Sequence, residues 1–179
     1  LPLVTYNMHA AARGAIIAGL GPDLKTPSVL TQLRHRARLG WVVFAVKEGI
    51  DLLRRKGIPV HYAVMMDPGD GEARRTPARS DVTYCIASSC HPSTFDHLAD
   101  CPRLVFHSAC GWPNEVYLYQ ELFGNGDTII GGFTVVNRAI GLDKYMGIER
   151  VEVVATPFGR RGDTHYSSCV VAAPLNDVW

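Results

Sequence analysis

Charge of one sign is what this chain most lacks: 18 Lys and Arg stand against 17 Asp and Glu, a formal net charge of +1. That balance offers no electrostatic ground for binding DNA, RNA or an anionic membrane, so neither nucleic acid nor membrane is expected as a partner. Long hydrophobic runs are missing too. No apolar stretch approaches the roughly 20 residues of a membrane span, and no signal peptide is visible at the N-terminus. The chain opens on Leu1 rather than Met, which leaves an earlier leader open. Cysteine is sparse and odd in number: Cys85, Cys90, Cys101, Cys110 and Cys169. Five thiols are too few for a disulfide scaffold, and the simpler reading is buried or reactive thiols in a reducing compartment, the cytoplasm.

A metal-binding spacing is absent as well. Cys85, Cys90, His91, His97, Cys101, His107 and Cys110 crowd one span, but they form no C-x-x-C pair and no helical His-x-x-x-His. Core thiols and site-lining histidines account for them better than zinc does.

What is present is the composition of a folded chain, 47% hydrophobic and 20% charged over 179 residues, expected as one domain spanning 1–179. Short apolar runs read as strands covered on both faces: Ala15–Ala18, Trp41–Val46, His61–Met66, Val82–Ala87, Leu104–His107 and Val151–Ala155. Helical stretches alternate with them. Thr26 as N-cap and Pro27 as N1 open the first, Leu30, Leu33 and Ala37 mark its apolar face, and Gly40 stops it. A second runs from Gly49 to Lys56 and ends at Gly57. The span from Asp70 to Ser80 is polar and reads as an exposed connection. Glu115–Phe123 and Thr134–Met146 read as further helices. The rhythm predicts a Rossmann-like three-layer α/β sandwich with a mostly parallel sheet of about six strands.

Ligands of open α/β sheets bind beyond the carboxyl ends of the strands. Here those ends are Gly19–Leu24, Lys47–Glu48, Asp67–Gly69, Ser88–His91, His107–Ser108 and the loop after Ala155. Gly19 and Gly21 allow a tight turn and close backbone approach to an anion, but Leu24 stands where the dinucleotide fingerprint needs a third glycine. The turn is thus an anion cradle or a plain strand-to-helix connection. Gly131 and Gly132 before the Thr134 helix pose the same pair of alternatives, a second cradle or close helix–sheet packing.

Taken in order, six motifs resemble the MptE-like family: AIIAGLGPDL (15–24), VFAVKEGIDLL (43–53), GIPVHYAVMMDP (57–68), IASSCHPSTF (86–95), GGFTVVNRA (131–139) and the stretch 147–155. That family includes an archaeal 6-hydroxymethylpterin pyrophosphokinase, motility-associated-factor glycosyltransferase-like proteins and phage-encoded members. The chain is also distantly similar to bacterial sialyltransferases, through the glycine-proline turn after the first strand. The resemblance implies a nucleotide-binding transferase. Mg²⁺-dependent diphosphate transfer from ATP to a pterin-like alcohol is the first form, and glycosyl transfer from a CMP-sugar-like donor is the second. A catalytically degenerate binding or assembly module is the alternative, and homo-oligomerisation is left open.

By the same resemblance Gly19, Gly21, Pro22 and Asp23 line the nucleotide phosphates, with Ser88, Ser89, Cys90 and His91 as the next wall. Gly131, Gly132 and Thr134 form the opposite cradle. Asp67 faces the ligand, with Mg²⁺ as its expected cofactor ion, and His165 is the expected general base or acid beside a small-molecule acceptor. The plainer alternatives are a turn-initiating Asp67 before Pro68 and an exposed loop His165. Trp112 and Tyr166 are aromatic candidates for stacking on a base or pterin.

Three positions depart from the family pattern. Lys47 stands where Asn is usual, Asp23 where Ser is usual, and Ala155-Thr156-Pro157 replaces Gly-x-Asp at the last strand. Lys47 is either a substitute phosphate contact or a solvated strand-end lysine.

Overall fold

The apolar runs assemble into a parallel seven-stranded sheet. The computed structural model describes residues 1–109, 112–123, 128–130, 132, 134–156, 160–161 and 164–165. Its strands are β1 (Ala15–Ala18), β2 (Val42–Val46), β3 (Tyr62–Met65), β4 (Thr83–Ala87), β5 (Arg103–Ala109), β6 (Thr128–Ile130) and β7 (Val151–Val154). They lie in the order β6-β5-β4-β3-β2-β1-β7. The register pairs Ala15 with Val42 on one side of β1 and with Val151 on the other. Every residue of β1, β2, β3 and β7 is buried, as strands covered on both faces require. Seven strands replace the expected six because Thr128–Ile130, short and flanked by glycine-bearing sequence, pairs with the end of β5.

The connections are α1 (Pro27–Arg38), α2 (Gly49–Arg55), α3 (Gly71–Arg75), α4 (Pro92–His97), α5 (Pro113–Phe123) and α6 (Val135–Tyr145). The steps from β1 to β6 all run the same way across the sheet, and the step from β6 to β7 runs back past them. Right-handed crossovers therefore place α6 on the face opposite α1–α5, where it packs across β1, β2, β3 and β6. This is the three-layer Rossmann-like arrangement. The N-terminal segment adds to β5: Leu3 bridges Val105, and Val4 N–H donates to the Val105 carbonyl at 2.9 Å.

Two local expectations change. The span 70–80 is not a plain exposed connection, because α3 lies within it and buries Glu72 and Ala73. Thr26 is the N-cap of α1 by position, yet its hydroxyl donates backwards to the Asp23 carbonyl at 2.7 Å instead of capping the helix. Pro27 at the helix start, which needs no hydrogen-bond partner, reduces the need for a side-chain cap. Beyond the sheet, β8 (Arg160–Arg161) and β9 (Thr164–His165) form a short antiparallel pair. Among the described residues no helix is long and apolar enough to cross a membrane.

Candidate functional site

Because all seven strands are parallel, their carboxyl ends share one edge of the sheet, and the chemistry-bearing residues gather there. Lys47 follows β2 directly, with a left-handed φ of 44°. Its ammonium lies 3.6 Å from Asp67 Oδ2, beyond β3, and 3.8 Å from Glu72 Oε1 on α3. Arg75, also on α3, reaches the same Asp67 oxygen at 3.7 Å. The other oxygens of the two carboxylates are held by the backbone. Gly69 N–H donates to Asp67 Oδ1 at 3.0 Å, and Asp67 N–H donates to Glu72 Oε2 at 2.7 Å.

These contacts pull the two carboxyl groups in opposite directions. The Gly69 N–H bond, followed by Lys47 and Arg75, holds Asp67 below the ordinary carboxylate range. Burial raises Glu72, which is only 1% exposed, against the opposing pull of its bond from Asp67 N–H and of Lys47. Asp67 thus starts a turn, the plainer of its two sequence readings, and its carboxylate also pairs with Lys47 and Arg75. Lys47 is not a solvated strand-end lysine, since its side chain is 22% exposed and ion-paired twice. Glu72 was not singled out from the sequence, and its only signal there is its position five residues beyond Asp67.

The neighbouring wall comes from β4 and β5. Ser88 Oγ and His107 Nδ1 share a hydrogen bond of 3.0 Å, and the buried His107 ring lies 5.8 Å from that of Tyr119. Burial lowers the His107 pKa, favouring the neutral imidazole near pH 7. Cys90 is buried, and its thiol is pushed up to about 12 by burial and by the nearby Glu72, so it stays protonated and packs. His91 turns to its own helix, where Nδ1 accepts from Ser93 N–H at 3.2 Å as the N-cap of α4. Ser89 is exposed.

The glycine turn is arranged differently from an open cradle. Gly19 N–H donates to the Val154 carbonyl at 2.9 Å and Gly21 N–H to the Ala155 carbonyl at 2.7 Å. A Cβ on Gly19 would stand 2.5 Å from that same Ala155 oxygen. These two glycines let the chain after β1 press against the end of β7, and their N–H groups are engaged there. Pro22 and Asp23 follow in a short 3-10 turn, Pro22–Lys25, with Pro22 exposed and Asp23 half-buried.

At the β6 side, Gly131 lies outside the described residues. A Cβ on Gly132 would stand 2.1 Å from Asn137 Nδ2, the end of a flexible side chain on α6. Thr134 Oγ1 accepts from Asn137 N–H at 3.2 Å as the N-cap of α6. His165 pairs with Arg160 in β8–β9. Trp112 is exposed ahead of α5, while Tyr166 and Pro157 lie outside the described residues.

The residues present do not suit a protein-held Mg²⁺. Among the described residues no group of three His, Cys, Asp or Glu side chains could hold a metal ion. Mg²⁺ accepts one or two carboxylates when phosphates complete its shell, but here an ammonium already lies between the two carboxylates.

This arrangement, a parallel sheet between helical layers with a charged cluster at its carboxyl edge, defines a Rossmann-like α/β protein. The family is set by sequence: residues 4–156 match the family described as 6-hydroxymethylpterin diphosphokinase MptE-like, and the chain belongs to that family. No curated protein matches it significantly. Among solved structures it is similar to an MAf glycosyltransferase from Magnetospirillum magneticum AMB-1, with a TM-score of 0.66 at 14% identity. The likeness covers 90% of this chain and 26% of that one, so the chain spans about a quarter of that protein's length.

Family membership makes two of the departures physically legible. Both fall on non-glycine residues with left-handed backbone: Lys47 (φ 44°) and Ala155 (φ 53°), where the resemblance implies Asn and Gly. Asn and Gly are the residues that tolerate this conformation best.

Proposed function

We propose that this protein is a nucleotide-dependent transferase that binds its donor's phosphates at the carboxyl edge of the sheet and passes a group to a small alcohol. The observation that carries the reading is the Lys47–Asp67–Glu72–Arg75 cluster beyond β2 and β3, whose Lys47 sits on left-handed backbone. Diphosphate transfer from ATP to a pterin-like alcohol is the form that the family description supports. In it, Lys47 contacts the phosphates, and a histidine accepts the proton of the attacking hydroxyl.

Two histidines compete for that proton. His165 is the candidate from the family resemblance. His107, with its burial-lowered pKa and its bond to Ser88, is the candidate from geometry. Glycosyl transfer from a nucleotide sugar is the second reading. It is favoured by the ammonium between Asp67 and Glu72, because such transfer can proceed with a histidine base and less demand for metal.

A thermal-shift panel of ATP, GTP, CTP, CMP and a pterin, with and without Mg²⁺, tests the proposal. Stabilisation by a nucleotide is the expected result, and no shift with any of them overturns it. ATP with the pterin supports diphosphate transfer, whereas selective stabilisation by CMP supports glycosyl transfer. In the active pairing, replacing the base histidine should lower kcat far more than it raises KM, so His107→Ala and His165→Ala identify which one serves.

A further inference from the structure

The charges at the strand ends sum in an informative way. Asp67 and Glu72 contribute two carboxylates, and Lys47 and Arg75 contribute two cations within 4 Å of them. Each carboxylate has one oxygen bonded to a backbone N–H and the other facing Lys47. A Mg²⁺ ion sits about 2.1 Å from its oxygen ligands and repels a neighbouring ammonium, so it would have to evict Lys47 to bind the pair. The Lys47 contacts at 3.6 and 3.8 Å are longer than hydrogen bonds. The ammonium thus neutralises the carboxylates without spending its three donors on them at bonding distance.

We infer that the Lys47 ammonium takes the place a divalent cation would fill between Asp67 and Glu72, so that the strand-end site holds its ligand's phosphates without a metal. The inference rests on the proposed nucleotide-binding role of this edge and adds its mode of phosphate recognition. Lys47 is fixed at the end of β2 by a backbone turn that Asn or Gly would adopt more readily, which ties this cation to one place in the fold. Arg75, half-exposed on α3, completes the neutralisation of Asp67 from the solvent side.

Two measurements on the whole chain test this. The first is a Mn²⁺ titration followed by electron paramagnetic resonance, without nucleotide. Wild type should leave Mn²⁺ free, and Lys47→Asn, whose side chain suits the left-handed turn, should gain a Mn²⁺ site through Asp67 and Glu72. Mn²⁺ held by wild type and lost in Asp67→Asn overturns the inference whether or not a nucleotide binds. The second is calorimetric titration of ATP and CMP in EDTA and in Mg²⁺. At least one should bind wild type equally in both buffers, whereas Lys47→Asn should bind it about tenfold or more weakly in EDTA and recover in Mg²⁺. Wild-type binding that disappears in EDTA overturns the role of Lys47 but leaves the proposed function standing. No binding in either buffer overturns the proposed function, and the Mn²⁺ result then decides on Lys47 alone.

Discussion

The two edges of the sheet place left-handed backbone on different residues. At the amino edge the helices α1, α2 and α6 end in Gly40, Gly57 and Gly147, with φ of 80°, 68° and 85°, where glycine adopts the turn at little cost, and Asn7 beside Gly147 (φ 57°) is of a type that tolerates it. At the carboxyl edge the same conformation falls on Lys47 and Ala155, where a side chain costs about 1–2 kcal/mol each. Charge is handled differently too. At the amino edge Arg36 is paired with Glu152 and stacked over the Trp41 ring at 4.5 Å, beside an open cavity of about 640 Å³ lined by Arg13, Glu149 and Arg150. At the carboxyl edge Lys47 serves two carboxylates, one of them buried. Among the cavities lined by described residues, the amino-edge one is larger than that beside Leu3 and Val105. The cation on left-handed backbone at Lys47, facing carboxylates from the next strand end and from α3, points to the carboxyl edge.

The largest expected effect comes from breaking the close approach of β1 to β7. Gly19→Ala drives a methyl into the Ala155 carbonyl and should cost about 3 kcal/mol. Gly40→Ala, where a Cβ meets open space, should cost about 1 kcal/mol through its left-handed φ alone. Urea unfolding of both variants measures the difference, and equal losses would deny that Gly19 is needed for contact.

A second test concerns Asp143 in the last turn of α6, toward the amino edge. Its carboxyl is fully buried, neither oxygen has a hydrogen-bond partner, and burial raises its pKa well above the ordinary range. With the folded value above the unfolded one, this group's stabilising contribution is complete below about pH 4 and is lost as pH rises toward the folded value. Asp143→Asn should therefore match wild type near pH 4 and become increasingly the more stable of the two as pH rises toward neutrality. Parallel stability curves across that range would show that Asp143 does not titrate as its burial demands.

The smallest effect is a gain. Ala155→Gly should relieve the left-handed strain after β7 and stabilise the fold by about 1 kcal/mol, part of the relief being offset by glycine's unfolded-state entropy. A loss in thermal denaturation would mean that the Ala155 methyl contributes packing that outweighs the strain.

How far all this was legible in the sequence depended on the range of the interaction. The strands from β1 to β5, and β7, declare themselves because Ala15–Ala18, Val42–Val46 and their kin are continuous apolar runs. Thr128–Ile130 is too short to do so. Arg74 and Arg75 disguise the buried side of α3, and Glu72 goes unnoticed with it. Lys47 and Asp67 were visible as strand ends, but their pairing across two strands was not. The glycine turn has a long-range partner that the sequence does not reveal. Gly19 does permit close approach, but what approaches is the end of β7, more than 130 residues further along the chain, and Gly21 N–H bonds to the same end. His91 and Thr134 each cap their own helix, a local use that their neighbours Pro92 and Val135 only partly announce.

The claim that the carboxyl edge holds the ligand is tested most directly by comparing one cation from each edge. Nucleotide-induced thermal stabilisation would be measured in EDTA for wild type, Lys47→Asn and Arg150→Ala. Loss of the shift in Lys47→Asn with full retention in Arg150→Ala is the predicted result. Retention in Lys47→Asn with loss in Arg150→Ala would move the site to the amino-edge cavity and contradict the account.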